Sequence, residues 1–114
     1  MTDCVFCKII NGDIPSKKIF EDDEVLAFHD VDPKAPVHFL VIPKKHIKNI
    51  MECTENDVSL LGKLFFKAQE IAVQLGLEKE GARFVNNCKK NGGQTVDHLH
   101  IHVLGGRPLD WPPG

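Results

Sequence analysis

The sequence predicts an α+β fold: a five-stranded antiparallel sheet carrying one long and one short helix. Five short strand-like segments lie mostly clustered along the chain. A single segment, 57–75, repeats apolar residues at helical spacing. Strands gathered in this way, not alternating with helices, favour an antiparallel sheet over a parallel one.

The elements follow in order. In residues 4–11, Val5, Phe6, Ile9 and Ile10 form a rough helical stripe, and Gly12 stops it. Lys18–Glu21 and Val25–His29 read as two strands joined by the hairpin turn Asp22-Asp23-Glu24. Residues 30–36 contain two prolines and form a loop. Val37–Pro43 is a buried strand, with Phe39, Leu40, Val41 and Ile42 in one run. In the long helix, Leu61, Leu64, Phe65, Ala68, Ile71, Ala72 and Leu75 make one apolar face. Thr54 caps its start with Asp57 as a capping-box partner, and Gly76 ends it as a left-handed residue. Residues 82–87 and 99–104 supply two more strands, and the tail 105–114 is a glycine- and proline-rich arm or loop.

A chain of 114 residues argues for one domain, 1–114. Its 42% hydrophobic content suffices for a core, although so short a chain buries only part of its surface. Dimerisation or a structural metal would add support. The net charge of -2 and the lack of a long basic stretch argue against a nucleic-acid binder. No apolar run is long enough for a membrane span. The opening Met1-Thr2-Asp3-Cys4 lacks signal-peptide character, so the expected location is cytoplasmic. There the four cysteines stay reduced, and a disulfide scaffold is not expected.

Three of the six histidines fall within five residues, His98-Leu99-His100-Ile101-His102. On a strand, residues two apart share a face at roughly 6.5–7 Å. The imidazoles therefore line one face, while Leu99, Ile101 and Val103 enter the core. A solvated face would mix Lys, Thr and Glu instead of repeating imidazole. Two chemistries remain open: a metal site, which His-x-His on a strand suits, and nucleophilic and acid–base work on a phosphate. Asp97 falls on the opposite face from the row, which weakens the metal reading. The preceding loop Asn91-Gly92-Gly93-Gln94-Thr95 offers backbone N–H groups, an amide and a hydroxyl to phosphate oxygens, although Asn-Gly-Gly is also a common hairpin turn.

The row with its following Val103 and Leu104 resembles the histidine triad (HIT) motif, His-φ-His-φ-His-φ-φ. The likeness extends over nearly the whole chain, through Ile19–Asp23, Ala27–Asp30, Ala35-Pro36, His38–His46, Gly92–Gln94 and the ending Gly105-Gly106-Arg107 to Trp111-Pro112-Pro113-Gly114. That ending is similar to the Hint branch, the purine nucleoside phosphoramidases. The resemblance implies that His100 attacks the α-phosphorus of a purine nucleotide, its other ring nitrogen held by a backbone carbonyl. It places His102 beside His100 as donor, and His38 as a further active-site histidine. Gly93, Gln94 and Thr95 match the phosphate loop. Asp30 matches the carboxylate that takes the ribose hydroxyls, with Val31 beside it, and Asn87 a residue near ribose and phosphate. Phe6, Ile9 and Phe28 would line the base cleft, although core packing competes for each. Cys4 and Cys7 resemble the cysteine pair of bacterial members, which joins two histidines, here His46 and His98, around a structural zinc. A redox pair or unliganded thiols are the rivals, and Cys53 and Cys88 are expected to be free. A homodimer with one continuous sheet, meeting through helix 57–75 and strand 82–87, is also implied. Alternatives to the phosphoramidase are a dinucleoside polyphosphate hydrolase and a nucleotide-binding regulator with weak turnover.

Overall fold

The computed structural model describes residues 3–114. Met1 and Thr2, on which the expected lack of a leader partly rests, lie outside them.

Five strands form one antiparallel sheet in the order β1-β2-β3-β5-β4. They are β1 (Lys18–Glu21), β2 (Val25–His29), β3 (Val37–Pro43), β4 (Ala82–Val85) and β5 (Ile101–Gly105). The first three match the sequence reading residue for residue. β3 is central because its run Phe39–Ile42 is buried on both faces, as an inner strand requires. Alternation then sorts its side chains. Phe39 and Val41 join Val25, Ala27, Leu99, Ile101 and Val103 against the long helix. Leu40 and Ile42 join Leu26, Phe28, Phe6 and Ile9 under the short one.

Helix α1 (Val5–Ile10) starts at Cys4, whose sulfur accepts the Cys7 N–H at 3.3 Å. Gly12 follows at φ +84°. The long helix α2 (Val58–Gln74) is entered through a 3-10 turn, Glu55–Asp57. There Thr54 and Asp57 form the expected capping box, Asp57 accepting the Thr54 N–H at 2.9 Å. Gly76 leaves the helix at φ +85°.

Four expectations change. The apolar face of α2 is narrower than its periodicity suggests: Leu64, Ala68, Ile71 and Ala72 are buried, but Phe65 and Leu75 are exposed. Strand 82–87 ends at Val85, two residues early, and the last strand starts at Ile101. Residues Lys89–Gly92 form a third helical turn, α3, closed by left-handed Gly93, where a hairpin or open loop was expected. Another 3-10 turn, Ile50–Glu52, was not foreseen. Among the described residues no helix is long and apolar enough to cross a membrane, and no cysteine is in a disulfide.

The tail leaves β5 tightly. Gly106 has φ +93°, and a Cβ there would lie 2.9 Å from the Pro36 ring. Gly106→Ala meets both backbone strain and a rigid neighbour, so it should destabilise the fold by about 1–3 kcal/mol. A lowered urea midpoint with unchanged slope is the expected result.

Candidate active site and metal centre

The α1-side face of the sheet carries both histidine groups. In the β3–β5 register His38 pairs with Leu104 and Leu40 with His102, which makes His38 and His102 diagonal neighbours. His98 and His100 precede β5 proper, yet keep its alternation: Leu99 and Ile101 enter the α2-side core, whereas Phe6 of α1 packs edge-on against both imidazoles.

The rings of His100 and His38 are oriented by the backbone, and that of His102 by His38. The Nδ1 of His100 lies 2.6 Å from the His98 carbonyl oxygen, so this nitrogen carries the hydrogen and donates. The Nε2 atom then holds the lone pair. Asn86 donates from Nδ2 to the His100 carbonyl at 2.9 Å, fixing the same residue from the other side. For His38, the Lys34 N–H donates to Nδ1 at 3.1 Å, and Nε2 lies 3.0 Å from His102 Nδ1 and 3.4 Å from an Asp30 carboxylate oxygen. His100 and His38 are buried and His102 is half-buried. Burial lowers the affinity of all three rings for protons. His102 is pushed down to about 4, with His100 and His38 adding repulsion.

The second group comprises Cys4, Cys7, His46 and His98. His98 donates from Nε2 to the Pro43 carbonyl at 2.8 Å, which turns the Nδ1 lone pair toward the sulfurs. That nitrogen lies 3.4 Å from Cys4 Sγ, 3.6 Å from Cys7 Sγ and 3.1 Å from His46 Nδ1; Cys7 Sγ to His46 Nδ1 is 3.3 Å. A tetrahedral zinc with ordinary bond lengths sets its ligand atoms about 3.3–3.8 Å apart. These four separations lie within a few tenths of an ångström of those values, and all four ligand atoms lie within 4.8 Å of one another. Burial, and then the neighbouring Cys4 sulfur, pushes the Cys7 thiol up to about 11, so a Cys7 thiolate here calls for a cation.

Beside His38 opens a cleft of about 760 Å³, lined by Ser16, Lys17, His29, Asp30, Val31 and prolines. It brings together Asp30, Val31 and His38 from the expected set. Val31 is 94% exposed, so it walls the opening without packing on Asp30. Phe6, Ile9 and Phe28 are core residues of the α1-side cluster, and for these side chains packing is the role observed. Gln94 is engaged structurally: its carbonyl oxygen accepts the Lys89 N–H, and its amide donates to the Lys48 and Val96 carbonyls. Gly93 closes the α3 turn, and Asn87 backs onto Gly92. Thr95 lines a different cleft of about 400 Å³ with Cys4 and His46. Asn86 and the Lys34 amide were missed. The strand reading ran through Asn86 to Asn87, and a backbone amide leaves no mark in a sequence.

A family model described as the HIT domain matches residues 11–109. A HIT-like protein of Synechococcus elongatus is 55% identical over 112 residues, covering 98% of this chain and 97% of that one. Among solved structures, a HIT family hydrolase from Legionella pneumophila superposes with a TM-score of 0.96 at 47% identity, covering 98% of this chain and all of the other. A histidine triad protein from Clostridium difficile gives 0.92 at 44%, covering 96% of each.

The depressed imidazoles also set an acid limit on stability. Unfolded, His102 takes a proton near 6.5; folded, it resists until about 4. The unfolded state therefore binds more protons in that window, and stability falls as pH drops from 6.5 toward 4. Urea midpoints should decline over this range, and His102→Asn should flatten the decline.

Proposed function

Since the chain belongs to the HIT domain family, we propose that it is a hydrolase that cleaves purine nucleoside phosphoramidates, or related nucleotidyl conjugates, at the α-phosphate. The observation that carries this reading is the 2.6 Å contact between His100 Nδ1 and the His98 carbonyl, which leaves Nε2 as an unprotonated nucleophile. Hydrolases among the structural relatives support the reaction class. Similarity of the tail to the Hint branch supports the phosphoramidate preference.

In the first step the His100 Nε2 lone pair attacks the α-phosphorus. The bond from phosphorus to the leaving nitrogen breaks while the His102 N–H donates a hydrogen bond to that nitrogen, and the departing amine takes its proton from solvent. The product is a nucleotidyl-His100. Water then attacks the same phosphorus, its proton returns to solvent, and the bond to Nε2 breaks to release the nucleoside monophosphate. Dividing one displacement into two is the general advantage of a covalent catalyst. Asp30, lining the cleft, accepts hydrogen bonds from the ribose hydroxyls. His38 supports His102 and holds the phosphate, and Gly93, Thr95 and Asn87 approach it from the α3 side.

Zinc is the proposed ion of the Cys4–Cys7–His46–His98 centre. Two thiolates and two imidazoles close its coordination, so its part is structural: it ties α1 to the start of the histidine row. No reaction step passes through it. The outer stripe of α2, with Val58, Phe65, Phe66 and Val73 exposed, and Phe84 on edge strand β4 support the homodimer.

Two measurements test the assignments. His100→Ala should lose turnover of an adenosine phosphoramidate by at least about 10³-fold while keeping the wild-type circular dichroism spectrum; retained activity contradicts the mechanism. Metal analysis without chelator should find one zinc per chain, lost in Cys4→Ser.

A further inference from the structure

Asp30, His38 and His102 form a second cluster whose donor atoms all lie within 4.8 Å of one another, the same spacing that brings together the cysteine–histidine centre. By spacing alone both groups qualify as metal sites. The backbone group that faces the far nitrogen of each histidine separates them. At His98 that group is an acceptor, the Pro43 carbonyl, which takes the ring hydrogen and leaves the lone pair facing the sulfurs. At His38 it is a donor, the Lys34 N–H, which consumes the Nδ1 lone pair at 3.1 Å.

The consequences propagate by hydrogen-bond polarity alone. A neutral imidazole has one donor and one acceptor nitrogen. With Nδ1 accepting, His38 must carry its hydrogen on Nε2. The His102 Nδ1 lies 3.0 Å from that hydrogen-bearing atom, so it must be the acceptor. His102 in turn carries its hydrogen on Nε2, the atom that remains to face a substrate. The nearby Asp30 oxygen, at 3.4 Å from His38 Nε2, is compatible with a hydrogen there and adds no competing donor. The start of the chain is held as well. Arg107 donates from Nη2 to the Lys34 carbonyl at 2.9 Å, from the tail segment that follows β5.

We propose that Arg107 and the Lys34 amide are positioning groups that fix the tautomers of His38 and His102. They thereby present a hydrogen-bond donor at His102 Nε2 and keep divalent cations off the Asp30–His38–His102 cluster. The inference deepens the phosphoramidase reading and rests on it for the donor's purpose, but the tautomers themselves stand on geometry. His100 has the opposite tautomer, hydrogen on Nδ1, so neighbouring rings in one motif serve as nucleophile and donor.

The test is two-bond proton–nitrogen correlation spectroscopy of the 15N-labelled full chain at neutral pH. His38 and His102 should each show a protonated Nε2 and a bare Nδ1, and His100 the reverse. A protonated Nδ1 on His38 or His102 overturns the proposal. Cobalt(II) titration of chelator-stripped protein should fill one site per chain, with thiolate charge-transfer absorption; a second ion bound by the trio also overturns it. Arg107→Ala should average the His38 nitrogen shifts and lower kcat about three- to tenfold with KM unchanged, and Arg107→Lys should partly restore both. Wild-type shifts and kcat in Arg107→Ala remove Arg107 from the role, whatever its effect on melting temperature. Turnover on the same samples separates the two readings. Expected tautomers without hydrolysis defeat the functional reading, whereas hydrolysis with other tautomers defeats this one.

Discussion

The site depends on what one buried residue does with three of its polar groups. His98 is fully buried. Its Nε2 donates to the Pro43 carbonyl at the end of β3, its Nδ1 faces two sulfurs and another imidazole, and its own carbonyl accepts from His100. A buried polar group must find a partner or carry a penalty of about 1–3 kcal/mol, so each bond restricts the others. The ring cannot turn away from the cysteines without orphaning Pro43. The carbonyl cannot shift without freeing the His100 ring. The cysteine–histidine cluster and the proposed nucleophile are thus coupled through one residue, so the two groups are positioned together.

The sheet supplies the rest of the geometry. Central β3 separates two layers: large apolar side chains meet α2 on one side, and the histidine clusters share the other with the small α1 layer. Period-two alternation turns this division into chemistry, because His38 and His102 can face one another only if Phe39 and Val103 point into the opposite layer. A one-residue slip of β5 against β3 would exchange the faces. The core that fixes the register is therefore also the device that assembles the site. Burial on the thinner side keeps the imidazoles neutral, the protonation state a nitrogen nucleophile needs.

Much of this was legible in the sequence where periodicity and local chemistry coincide. β1, β2 and β3 carry their own boundaries, and the Thr54–Asp57 box and Gly76 mark the ends of the α2 region through local hydrogen bonding and a left-handed turn. The shared side of the histidine row follows from alternation even though only His102 of the three lies within β5. Long-range or backbone-dependent features were less visible. Phe65 and Leu75 satisfy the helical period but remain exposed, because periodicity does not tell how wide a stripe of the helix is covered. Gln94 reads as a phosphate donor, yet both ends of its amide fasten the α3 turn to Lys48, Lys89 and Val96. Asn86 and Lys34 act on histidines 14 and 4 positions away, through contacts that no residue pattern encodes.

The central claim is that His100 Nε2 forms a bond to phosphorus during turnover. Acid-quenching an adenosine phosphoramidate reaction within one turnover, followed by peptide mass spectrometry under conditions that preserve phosphohistidine, tests it directly. A nucleoside monophosphoryl adduct confined to the His100 side chain, formed and lost at rates that account for turnover, is the predicted result. Full turnover with no adduct, or with the adduct on another residue, contradicts it.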